Sequence, residues 1–283
     1  GTEFYASDMK GALGNLYALK GELGKALEAS LAGYEIAQKT GSNNHIATFS
    51  LNIADIYQMA GKPDEASEYM SKALVIYQEE GREFNVAGTL VSMGILESTR
   101  NNYGTSVEYL EKATVIYRKF NAERRLSYSL VTLGTAYMKL NRFDEALNRY
   151  DEAMVIEEKL KSYSDIGLIL LNKARIRKAQ GKMNQAITEA NKALDMTKAG
   201  NNAKQEENVY RFLFKLYETL GNNNKALENF KLATQIKDEL AIKANKVKVE
   251  ELTAKFEYDK KEQELIISNE SLENARKEQE LSE

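Results

Sequence analysis

The chain has 283 residues, 43% of them hydrophobic, with one Pro, one His, no Cys and no Trp. The absence of Cys excludes disulfides, thiolate metal sites and cysteine nucleophiles, and a net charge of −3 without a basic stripe or acidic block speaks against nucleic acid and against a disordered charged tail. No run approaches the ~20 apolar residues that span a bilayer, and no signal peptide is legible.

In chain order, residues 1–4 (Gly1-Thr2-Glu3-Phe4) lack an initiating Met and read as a vector-derived scar or a cut end. From residue 5 the sequence repeats with a period of 40. Stepping by that interval from Ala26 gives Ala66, Ser106, Ala146, Ala186 and Ala226. Gly21 leads to Gly61, Asn101, Asn141, Gly181 and Gly221, and Ile36 to Ile76, Ile116, Ile156, Met196 and Ile236. Six copies hold register without an insertion, the signature of stacked units too small to bury an apolar face alone.

Each unit reads as two helices. In the second, Ile46, Phe49, Ile53, Ile56 and Tyr57 fall at helical spacing. Gly61 ends that helix, Pro63 opens the next, and Ala66, Met70, Ala73, Leu74 and Tyr77 continue the apolar face. Gly14, Ala54, Gly94, Gly134 and Ala174 form a small column on the first helices, and Ala26 and Gly33 with their equivalents form two on the second. Small residues facing one another would let the helices approach closely. Phe214 breaks the first column, so the sixth pair is expected to splay or its second helix to leave the stack.

Leu13-Gly14-x-x-Tyr17 followed by Gly21, Ala26 and Gly33, and still more Leu133-Gly134-x-x-Tyr137 with Ala146, Tyr150 and Ala153, resemble the tetratricopeptide repeat. The period here is longer than the family's usual one. The Pro that commonly ends a unit is absent, with Gln78, Arg118 and Glu158 in its place. The resemblance is to long-helix arrays of bacterial peptide-sensing regulators and cell-polarity scaffolds. It implies an all-α, right-handed superhelical solenoid over residues 5–240.

No Gly or Pro follows Gly221, so one helix is expected from about Asn223 to the end, with residues 241–283 as an extended connector. Steps of three and four place Val247, Ala254, Tyr258, Leu265 and Leu272 on one seam, although Glu251, Lys261 and Ser268 interrupt it. A solvated helix and a homodimeric coiled coil both fit that seam. Its composition resembles the connector after repeat arrays in two-component sensor kinases of Bacteroidetes type, where an output domain follows.

No enzyme site is expected in this stretch, and no metal or cofactor. His45, the single His, reads as a surface or capping residue. There is no GxGxxG, no GxxxxGK[ST] and no calcium loop. In stacked hairpins the first helices line the concave side, which places Asn15, Asn52, Asp55, Ser92, Thr132, Thr135 and Lys139, then Asn172, Arg175, Arg211 and Lys215, in the groove. By the resemblance, Asn52 and Asn172 occupy the places that hold a peptide backbone, and Arg175 and Lys215 those that hold an acidic group. Solvation alone also accounts for polar residues on an exposed face.

The expected partner is therefore a protein or extended peptide with an acidic group, not nucleic acid or membrane. The expected role is the sensory or scaffolding part of a bacterial signalling protein such as a sensor histidine kinase, on the cytoplasmic or periplasmic side. A free-standing adaptor or co-chaperone is the alternative.

Overall fold

The computed structural model describes residues 2–282, with side chains from Tyr5 to Ser271 and at Asn274; Gly1 of the presumed scar and the side chain of Leu272 in the seam lie outside the described residues. Twelve helices and no strand occur among them: α1 (Thr2–Leu19), α2 (Leu23–Thr40), α3 (Asn43–Met59), α4 (Pro63–Glu79), α5 (Glu83–Thr99), α6 (Tyr103–Lys119), α7 (Glu123–Lys139), α8 (Phe143–Leu160), α9 (Tyr163–Ala179), α10 (Met183–Ala199), α11 (Ala203–Thr219) and α12 (Asn223–Ser282). The chain is an all-α repeat solenoid. It forms two compact units, one up to Met196 and one from Thr197.

The turns set the period. Every twentieth residue from 21 to 221 has a positive φ: six glycines, then Asn101, Asn121, Asn141 and Asn201, and Lys161 at 55°. Each closes its helix by returning amides to the last carbonyls. Gly61 N–H donates to Gln58 O at 3.1 Å and Lys62 N–H to Tyr57 O at 2.9 Å, so otherwise orphaned acceptors are satisfied. Gly and Asn tolerate this backbone; Lys does so only at a cost.

In the first unit, helices pair within repeats and each pair stacks on the next. Ala26, Ala66, Ser106, Ala146 and Ala186 are fully buried, as are Ala73, Ala113, Ala153 and Ala193. The first-helix column packs differently from expectation. A Cβ on Gly94 would lie 2.7 Å from Leu110 Cγ, and one on Gly134 2.8 Å from Tyr150 Cε1. The small residue thus receives a large side chain from its partner helix in addition to facing the small column, whose Ser106 O would lie 3.3 Å from the Gly94 Cβ. At Gly14 the neighbours are Ser30 Oγ at 2.6 Å and Ala26 O at 3.3 Å. Glu97, where four of the other repeats carry Tyr, is held by Arg100 at 2.8 Å and by the amide of Asn102 at 2.7 Å.

The sixth pair, in the second unit, is not splayed. α11 and α12 pack as extensively as α1 and α2. Phe214 is accommodated because its counterpart Phe230 tilts beside it, with ring centroids 5.4 Å apart, and stays half exposed. Leu110 and Tyr150, in the same place of earlier repeats, are fully buried. Beyond Leu240 every described side chain of α12 is exposed. Its 60 residues give a rod of about 90 Å.

Candidate functional site

In the first unit, α5, α7 and α9 enclose a cavity of about 820 Å³. Its apolar floor includes Ile95, Val131 and Leu168. Five of the groove residues expected from sequence line it: Thr132, Thr135, Lys139, Asn172 and Arg175. Thr135 shares a hydrogen bond of 3.0 Å with the hydroxyl of the fully buried Tyr150, whose burial pushes its pKa up to about 12. Arg175 donates from Nη1 to Asn172 Oδ1 at 2.8 Å, and Asn172 is only 4% exposed. Arg175 keeps access to solvent yet is desolvated enough to push its guanidinium down, with Tyr150 opposing the shift. A partly desolvated cation attracts an anion more strongly than one in bulk water.

Asn15 on α1, and Asn52 and Asp55 on α3, lie outside this cavity. Asp55 has no ion-pair partner among the described residues, and desolvation pushes its carboxyl up. In the second unit, Arg211 and Lys215 join Phe214, Phe230, Thr234 and Lys237 around a smaller pocket of about 350 Å³. Arg211 is already committed there. It donates to the buried Glu207, which also receives Lys204 at 2.7 Å; Lys204 is the main cause of the downward shift of the Glu207 carboxyl.

The far end of the larger cavity holds residues that the sequence reading passed over. Glu157, in the last turn of α8, is 6% exposed and lines the cavity with Ser127, Arg124 and Asp165. Its carboxylate has no ion-pair partner among the described residues, and Ser127 is the one side chain that acts on it through a hydrogen bond. Burial pushes its pKa up; the neighbouring Ser127 and Arg124 moderate the rise and Asp165 adds to it. Ser127 is fully buried, and its hydroxyl has no partner other than Glu157. Forty and eighty residues earlier the same place holds Tyr117 and Tyr77, each 2% exposed. The visible signal was that column, Tyr77-Tyr117-Glu157.

His45 links the start of α3 to α1 through side-chain contacts. Its Nδ1 lies 2.8 Å from Ser42 Oγ and its Nε2 3.1 Å from Asp8 Oδ1. Among the described residues no group of three or more His, Asp or Glu side chains is placed to hold a metal, and no helix is long and apolar enough to cross a membrane.

Family models described as Tetratricopeptide repeat match residues 5–79, 45–119 and 129–162, together more than half of the chain. No curated protein sequence matches it. Among solved structures it is similar to BtubC (BKLC) from P. vanneervenii, with TM-score 0.67 and 16% identity over 77% of this chain and 92% of that one. It is also similar to a STAND signal-transduction ATPase with a tetratricopeptide repeat sensor from Pyrococcus horikoshii, with TM-score 0.70 and 16% identity over 86% of this chain and 38% of that one. A third is aspartyl phosphate phosphatase F from Bacillus subtilis, with TM-score 0.64 and 16% identity over 82% of this chain and 59% of that one. At such identities the likeness is one of fold.

Proposed function

Because the chain belongs to the tetratricopeptide repeat family, a family of protein-interaction modules, we propose that it binds an extended peptide or protein segment and carries no catalysis of its own in these residues. The observation that carries the reading is the cavity between α5, α7 and α9, where an apolar floor meets Asn172, Arg175 and Lys139. The bond from Arg175 occupies the amide oxygen of Asn172 and leaves its NH2 to donate to a peptide carbonyl. Arg175 and Lys139 then meet an acidic side chain or terminal carboxylate, Arg with two parallel donors and Lys as a point charge. Asn15, Asn52 and Asp55 extend the same face towards the N-terminus; the pocket around Lys215, in the second unit, is by itself a basic place that would take an acidic group.

The module is the sensory or scaffolding part of a signalling protein. It consists of the repeat array at 5–240 and a connector at 241–283 that pairs with a second copy. The similarity to an array described as a sensor supports this role. The seam is available for pairing, with Val247, Tyr258 and Leu265 each about half or more exposed and Ala254 also exposed. Sedimentation velocity is expected to give a dimer that Tyr258→Lys with Leu265→Lys converts to a monomer; a monomeric wild type removes the pairing.

Binding is tested with a bead-displayed pentapeptide library in which each pool fixes one position. Pools with Asp or Glu at one terminal position are expected to be enriched, and Arg175→Ala with Lys139→Ala to lose that enrichment. An undiminished preference in the double variant refutes the assignment.

A further inference from the structure

The cavity owes its far end to one replacement. In the third repeat Tyr117 fills the space between α5 and α7, its ring 5.4 Å from that of Phe84 and its hydroxyl within 3.5 Å of where a Gly88 Cβ would stand. One period on, these residues become Glu157, Arg124 and Tyr128, and the shorter carboxylate leaves open what the phenol closes. The replacement costs stability, because a largely buried carboxylate without an ion-pair partner is disfavoured. Ser127 adds a fully buried hydroxyl whose one neighbour in the slot is that carboxylate. A carboxylate and a hydroxyl that have only each other, both lining one open cavity and neither paired with a cation, point to a partner that comes from outside.

The charge of the slot decides what that partner is. Glu157 and Asp165 face it with two negative charges against one positive, Arg124. Arg124 is exposed and makes no ion pair with either carboxylate, and Asp165 accepts a hydrogen bond only from the Ser162 hydroxyl. One cationic donor neutralises the remainder. The opposite end of the cavity is basic, with Lys139 and Arg175. Along α9, Asp165 and Arg175 are ten residues apart, an axial rise of about 15 Å, or about four or five residues of extended chain.

We propose that the slot formed by Glu157, Ser127 and Asp165 is a subsite for a Lys or Arg side chain, so that the groove selects a peptide segment with a basic residue about four or five positions from an acidic group. The proposal rests on the peptide-binding reading of the groove and adds to it a cation site and a polarity. Glu157 accepts from the ammonium or guanidinium, Ser127 has an acceptor lone pair for a second of its protons, and Tyr128 lies beside the aliphatic stem.

The same pentapeptide library, presented to the full chain, tests it. Pools with Lys or Arg at the terminal position opposite the acidic one are expected to bind about tenfold better than norleucine pools. Glu157→Gln should bring that preference below about twofold, with the acidic preference unchanged. Glu157→Tyr, which closes the slot, should do the same, and melting of both variants reports whether they are folded. Basic pools no better than norleucine, with the acidic preference intact, overturn the subsite and leave the groove. A basic preference that survives Glu157→Gln also overturns it. Absence of both preferences removes subsite and groove together.

Discussion

Replacing Glu157 with Tyr should stabilise the protein, because it restores the side chain found one and two repeats earlier in a slot of the same construction. Tyr77 and Tyr117 are each 2% exposed there. A buried Tyr adds on the order of 100 Å² of apolar burial over a Glu, an upper estimate of about 2.5 kcal/mol. The substitution also removes a largely buried carboxylate that has no ion-pair partner. Against this stand Ser127, which loses that carboxylate as its partner, and the displacement of Tyr128, which occupies the place of Gly88. A net gain of about 1–2 kcal/mol is expected, which raises the melting temperature by about 2–5 °C in a unit of this size.

The pH dependence separates the two contributions. Burial raises the folded pKa of Glu157 above its unfolded value. Ionisation therefore penalises the fold at pH above the folded pKa, and the penalty disappears as pH falls through that value towards the unfolded one. The advantage of Glu157→Gln over wild type should be present at pH 8 and shrink in mild acid, whereas part of the Glu157→Tyr advantage persists. Thermal melts of all three proteins at several pH values make the comparison. A destabilised Glu157→Tyr, or a Gln variant whose advantage does not change with pH, refutes the account of the slot.

Gly134→Ala should destabilise by about 1–3 kcal/mol in urea titration, despite a gain of up to about 1 kcal/mol in helix propensity, because the added Cβ meets the immovable ring of Tyr150. Lys161→Gly should stabilise by about 0.5–1 kcal/mol, since Lys161 adopts a φ of 55° that Gly adopts freely. Glu207→Gln should cost about 1–2 kcal/mol by loss of charge-assisted bonds to Lys204 and Arg211. The Glu207 carboxyl is depressed, so its contribution is present above the unfolded carboxylate range and lost as pH falls through the folded value. The Gln variant and wild type should then converge in acid melts.

Much of the fold was legible because it depends on columns. Small residues every 40 positions mark where helices touch, and Gly or Asn marks most turns. Lys161 was invisible as a turn residue by type, and only the 20-residue phase of its neighbours identifies it. Phe214 misled because a column describes one helix. Whether a large side chain fits depends on its partner, here Phe230, which had room to tilt.

The groove was legible in part for the same reason. Thr132, Lys139, Asn172 and Arg175 sit on first helices and do meet around one cavity. Asn15, Asn52 and Asp55 obey the same periodicity but lie outside it, because the cavity comes from a departure from the repeat and not from the repeat itself. That departure, Glu157, lies on a second helix, whereas concave-face periodicity is written on the first helices. Arg211 had the right position, yet a buried Glu207 in a column of small residues had already taken its charge.

The regular spacing of the left-handed turns also makes parity a property of the chain. Excising residues 101–140 would join Arg100 to Asn141, with Asn141 in the place of Asn101, and every later helix would run in its original direction. Excising only 101–120 would join Arg100 to Asn121, turn for turn, yet reverse every helix that follows and exchange inner for outer faces. Segments of 40 residues are therefore the natural quantum in which this molecule can be lengthened or shortened, and half that quantum is forbidden.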